Sequence, residues 1–181
     1  MSPLTAAVAF AASSLICLMA QPRYTAEGQL TLPSDYREWV FLSSGLGMTY
    51  RPMNDGGPAF TNVFVNPAAY RSFLATGKWP DKTMLLLEVR APASKGSINK
   101  GGSYQSDLLG IEAEVKDTAK FPENGWAFFA FGKSSTGQML PRTEDCYACH
   151  RDHAAVDNTF VQFYPVLLDM AKQKGTLKAG R

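Results

Sequence analysis

Read from the amino terminus, the spacing of apolar positions changes character several times. Leu4 to Ala20 is an apolar run, and residues 1–21 carry no charged side chain. Shorter segments follow. Tyr36 to Leu42 (YREWVFL) is mixed and predicts a helix end or a strand. Gly45 to Pro58, rich in Gly, Asn and Pro, predicts a loop. Phe60 to Val65 (FTNVFV) has the β-branched and aromatic content of a strand, closed by Asn66-Pro67. Pro67 to Thr76 (PAAYRSFLAT) predicts a short helix. Pro67 stands in its first turn, Tyr70, Phe73 and Leu74 have helical spacing, and Gly77 ends it. Thr83 to Val89 (TMLLLEV) is a continuous apolar run that predicts a buried strand. Ala91 to Gly102 predicts a basic, Gly-rich loop. Leu108 to Val115 (LLGIEAEV) alternates in part, and Trp126 to Phe131 (WAFFAF) reads as an aromatic strand. Thr159 to Lys174 reads as helix interrupted near Pro165.

Strands thus fill the middle of the chain and helices lie towards its ends. The expected class is α+β, an antiparallel sheet core with flanking helices in a single domain. The connections lack the length and helical pattern of repeated crossover units.

The first segment reads as a signal peptide spanning residues 1–20, cleaved after Ala20, with the domain over 21–181. A membrane anchor is the alternative, although about 17 apolar residues sit at the lower edge of a spanning helix. Cys17 is a poor lipoprotein cysteine, because bulky Ile16 precedes it. The expectation is an exported, periplasmic protein.

Composition narrows the function. Hydrophobic residues make up 45% of the chain and charged ones 19%, which fits a packed core rather than disorder. The net charge is +2, without a cluster of Lys and Arg, so nothing points to nucleic acid. The 181 residues hold three Cys and two His. That is too few for a disulfide scaffold. Removing residues 1–20 takes Cys17 away. Cys146, Cys149, His150 and His153 then remain, all within one short stretch.

Cys146-Tyr147-Ala148-Cys149-His150 is C-x-x-C-H, the attachment signature of c-type haem. Two thiols at this spacing can add to the two vinyl groups on one porphyrin edge, and the adjacent His can reach the iron. A zinc site would need a second ligand pair, and the chain beyond residue 20 has no other Cys. A thioredoxin-like dithiol would follow a strand in a βαβ unit, and that setting is missing. One haem c held by Cys146 and Cys149, with His150 as proximal iron ligand, is therefore expected.

A second axial ligand is harder to find. His153, three residues on, would share a helix side with His150 and reads as a surface or propionate-contacting residue. Met170 sits on an amphipathic segment and reads as core. Met139 and Met84 lack a telling context. The scarcity of ligands argues for a five-coordinate iron. A four-helix gas-binding cytochrome does not fit the strands FTNVFV, TMLLLEV and WAFFAF.

Several stretches together resemble the cytochrome P-460 family, and within it the β-type cytochromes c′. They are YREWV at 36–40, VFVNPAAY at 63–70, TGKWPD at 76–81, LLGIEAEVKD at 108–117, WAFFAF at 126–131, the C-x-x-C-H motif, and DNTFVQFYPVL at 157–167. The resemblance implies a homodimer on an antiparallel sheet and a five-coordinate haem c with His150 proximal. Two activities come with it. One branch oxidises hydroxylamine and carries a Lys cross-linked to the porphyrin edge, at the end of a run of the form TVxVKE. Here the run is Thr83-Met84-Leu85-Leu86-Leu87-Glu88, so Leu87 stands at that position. Lys82 lies five residues earlier and on the opposite strand face by parity. The other branch, the β-type cytochromes c′, lacks the cross-link and binds NO and CO in an apolar pocket capped by aromatic side chains.

The residues support the second branch. Hydroxylamine oxidation needs a base, for which Glu144, Asp145, Asp152 and Asp157 are the carboxylates near the motif. Asp157 also reads as a helix N-cap and Asp152 as a solvated residue. Binding a diatomic molecule needs no base, only a small dry pocket. Phe60, Phe64, Phe128 and Phe131 are candidates for its cap. Parity puts Leu87 on one strand face with Leu85 and Val89. The expected function is binding of NO or CO in nitrogen-oxide scavenging, sensing or detoxification. A hydroxylamine or nitrogen-oxide oxidoreductase and an electron-transfer cytochrome with a redox partner protein are the alternatives.

Overall fold

A computed structural model of the protein describes residues 21–49 and 57–180. The predicted signal peptide, Cys17 and residues 50–56 of the Gly45–Pro58 loop lie outside them. Seven strands form one antiparallel sheet in the order β1-β7-β6-β5-β4-β3-β2. They are β1 (Leu30–Thr31), β2 (Val40–Leu46), β3 (Phe60–Val65), β4 (Met84–Ala93), β5 (Tyr104–Lys116), β6 (Trp126–Gly132) and β7 (Thr136–Met139). Three α-helices accompany them: α1 (Pro67–Thr76), α2 (Asp145–His153) and α3 (Pro165–Gln173). This is the α+β, single-domain architecture expected from the sequence.

Alternation along the central strands decides what lies on each face. On β4, Met84 and Leu86 point to one core, while Leu85 points to the other. On β5, Ile111, Ala113 and Val115 join the first core with Ala127, Phe129 and Phe131 of β6. Tyr36, Trp39, Leu30 and Phe121 cover that layer. On the opposite face, Leu42, Val65, Leu85 and Trp126 pack against Phe73 of α1, Trp79, and Leu167 and Ala171 of α3. Each large side chain buried this way contributes about 1.5–3 kcal/mol of transfer free energy.

Local chemistry sets the ends of the elements. α1 starts at Pro67, whose missing N–H costs nothing in a first turn. It stops at Gly77, which is left-handed (φ 71°) and returns its N–H to the Phe73 carbonyl. A Cβ at Gly77 would stand 2.6 Å from Cβ of Lys174, so packing against the chain after α3 also demands glycine there.

The structure refines several boundaries. Tyr36–Glu38 is a 3-10 turn, and the strand begins only at Val40. β5 starts at Tyr104, well before the apolar part of its sequence. Pro165 opens α3 rather than interrupting a helix, and a separate 3-10 turn, Val161–Phe163, precedes it. The short strands β1 and β7 were not expected. They are too short to show a period.

Candidate functional site

Helix α2 carries the C-x-x-C-H motif. A helical pitch of 3.6 residues puts Cys146 and His150 on one side, four positions apart. Both line a cleft between α2 and the sheet. Cys149, half-buried, packs at the edge of the helix-side core. Tyr147 points the other way and anchors the helix. Its hydroxyl donates to the Leu140 carbonyl (3.1 Å) and accepts the Phe128 N–H (3.3 Å). Its ring meets Phe128 edge-on at 4.8 Å, with the Arg142 guanidinium 4.6 Å from the ring centre.

The His150 ring is wedged between Phe128 (4.6 Å) and Phe160 (4.5 Å), both edge-to-face. Its Nδ1 lies 2.7 Å from the Asn158 carbonyl, which has no proton to give, so Nδ1 is the donor. Nε2 is then the ring nitrogen left for a metal. The Glu114 Oε1 stands 3.4 Å from the same Nδ1. Burial works against a charged imidazole here, but Glu114, the Asn158 carbonyl and Glu112 outweigh it and hold the ring's pKa up. Burial likewise pushes the Glu114 carboxyl up, with His150 pulling the other way.

The cleft holds about 920 Å³ of empty space, partly open to solvent. Val63, Leu85 and Leu87 form its apolar sheet wall, and Phe160, Phe163 and Tyr164 close it from the C-terminal side. Glu112 stands beside Leu87. It faces both cleft and solvent, yet the protein around it pushes its carboxyl up, against the opposing charge of His150.

Of the residues singled out from sequence, Cys146, His150, Leu87, Leu85 and Phe128 come together at this cleft. Glu144, Asp152 and Asp157 do not line it. Glu144 is exposed at the N-terminal end of α2. Asp152 is exposed and bonded to Arg151. Asp157 caps no helix: it sits in a left-handed turn (φ 54°), paired with Lys116. Phe64 and Phe131 belong to the opposite core. Phe60 shares the Phe64 side of β3 by alternation. Phe128 packs on the ring of His150. His153 is exposed at the end of α2. Met84 is fully buried in the opposite core, and neither Met139 nor Met170 lines the cleft. Lys82 lies in the turn before β4, ion-paired with Asp117.

Sequence reasoning missed Glu112, Glu114, Phe160, Phe163, Tyr164 and Met48, all on the cleft wall. A signal for the two glutamates existed. With Ile111, Ala113 and Val115 on one face of IEAEV, both glutamates must share the other, polar or not. Met48 is half exposed and its sulfur packs on Gly45, where a Cβ would lie 2.6 Å from Sδ. No periodic signal precedes it.

A helix that turns the Cys146 thiol and an oriented imidazole into a largely apolar cleft over an antiparallel sheet, with the Cys149 thiol at the cleft's helix-side margin, is the arrangement of a cytochrome. The comparison with protein families agrees: the family described as Cytochrome P460 matches residues 33–161, more than half of the chain. The chain belongs to that family, and it is a haem protein. No curated protein matches it. The donor set fits the cofactor. Thiols and imidazole suit haem iron and its vinyl edge, and among the described residues no group of three or more His, Cys, Asp and Glu side chains converges on a different metal.

Proposed function

We propose that this protein is an exported haem c protein of the β-type cytochrome c′ kind, which binds NO, and also CO, at an open axial position. The haem supplies an iron centre that takes diatomic ligands. Cys146 and Cys149 hold it covalently, so it is retained outside the cytoplasm. His150 is the proximal ligand, kept in one orientation by Asn158 and by the flanking rings of Phe128 and Phe160. The observation that carries the reading is the apolar wall of Val63, Leu85 and Leu87. That wall offers no amine to the cofactor edge. Stoichiometric binding of NO to the reduced protein, followed optically, is the expected result. Gas affinity, export and a homodimer go together in this reading. Amino-terminal sequencing of the secreted protein should begin at Gln21, and sedimentation should give twice the chain mass.

Glu112 favours a second reading, a hydroxylamine oxidoreductase. A carboxylate on the cleft wall whose pKa is pushed up is suited to removing protons from a bound substrate. Steady-state assays with hydroxylamine and an electron acceptor separate the two. Turnover that collapses in Glu112→Gln supports the oxidoreductase. The absence of turnover, with NO binding intact, supports the binding protein.

A further inference from the structure

Strand β5 supplies the acidic side of the surroundings of His150. On β5, Glu112, Glu114 and Lys116 alternate with the core residues Ile111, Ala113 and Val115. Glu114 is 7% exposed, and its Oε1 has no hydrogen-bond partner. A buried carboxylate oxygen left so is costly and calls for an explanation. His150 Nδ1 lies 3.4 Å from it.

The other acceptor for that N–H, the Asn158 carbonyl, is held by β5 as well. The Lys116 Nζ binds the Asp157 Oδ2 at 2.6 Å and the Trp79 carbonyl at 3.0 Å. Asp157 immediately precedes Asn158 and adopts a left-handed conformation that non-glycine residues seldom take without support. On the far side of the turn, the Thr159 hydroxyl accepts from Trp79 Nε1 (2.6 Å) and donates to the Val156 carbonyl (2.8 Å). The carbonyl facing His150 is thus stapled on both sides.

We propose that Glu114 is a positioning residue that sets the donor strength of His150, acting as a second acceptor at Nδ1–H beside the stapled Asn158 carbonyl. The proposal rests on His150 being the axial ligand. An acceptor on the far nitrogen of a ligating histidine fixes its tautomer and raises its basicity, and a carboxylate does so more strongly than a carbonyl. A more basic imidazole gives more electron density to the iron and favours its oxidised state. Lys116 acts one step further out, by holding the turn.

Two readouts on the haem-loaded protein test this: the reduction potential and the iron–histidine stretch of the reduced form by resonance Raman. Glu114→Gln keeps the volume and removes the charge. It should raise the potential and shift the stretch to lower frequency. Glu112→Gln removes a charge from the same wall without a contact to Nδ1, and it should leave the stretch where it is. An unmoved stretch in Glu114→Gln, or an equal shift in both variants, overturns the proposal. The wild-type protein provides a check that needs no variant. Its stretch should lie with carboxylate-bonded histidines, and a value typical of carbonyl-bonded ones would contradict the claim. If wild type shows no iron–histidine band at all, the axial assignment itself fails.

Discussion

Leu87 on β4 pairs directly with Glu112 on β5, and both side chains stand on the cleft wall. The family's cross-linking branch would have a lysine amine at this place, beside that carboxylate. Here the methyl groups of Leu87 stand in its place. The tryptic peptide covering 83–90 should therefore appear at its unmodified mass in the haem-loaded protein. Loss of that peptide, or its recovery with porphyrin attached, would show a cross-link.

The proposed function makes attachment and ligation separable, because it gives the thiols and the imidazole different tasks. Cys146→Ala with Cys149→Ala should leave a protein whose haem is extracted by acidic organic solvent. His150→Ala should keep the haem on the chain and lose its proximal bond. Haem staining of denaturing gels distinguishes them. Covalent haem in the double variant would refute the attachment.

Among the described residues, Met48 is the thioether placed at the cleft, half exposed and seated on Gly45. An electron-carrier reading would use it as a sixth ligand. The open-site account predicts that Met48→Ala leaves the optical spectrum of the reduced protein unchanged. A shift from low spin to high spin on this substitution would favour the electron carrier.

On the opposite face, Glu88 is buried and bonded to Tyr36, Arg37 and Arg90. Burial alone would push its carboxyl up. Hydrogen bonds from Arg90 and Tyr36, with the charges of Arg90 and Arg37, reverse that and bring it down to about 2. A carboxyl depressed on folding contributes stability that is fully present above its unfolded pKa and is lost as pH falls through the folded value. Acid unfolding should thus draw on Glu88 between about pH 5 and about pH 2. Glu88→Gln should cost about 2 kcal/mol at neutral pH, with a flatter acid limb, read by thermal denaturation.

Much of this architecture was legible in the sequence because the strands are strongly patterned. FTNVFV, TMLLLEV and WAFFAF became β3, β4 and β6, and PAAYRSFLAT became α1 with Gly77 as its stop. The C-x-x-C-H motif needed only local spacing. The acidic half of the site was not visible in the same way. Glu144, Asp152 and Asp157 lie close to the motif in sequence, but the sheet brings Glu114 to His150 from 36 positions upstream. Cross-strand neighbours depend on register, and register follows from the whole sheet rather than from any one segment. The aromatic lining follows the same logic: Phe64 and Phe131 fall on the opposite face by alternation, as ordinary sheet core, and Phe160 comes from an irregular turn with no period to read.

The optical spectrum of the reduced protein, before and after NO, tests the central claim most directly. The account predicts a five-coordinate high-spin haem c spectrum that changes stoichiometrically on adding NO. A low-spin, six-coordinate spectrum before any ligand is added, or a spectrum indifferent to NO, would contradict it.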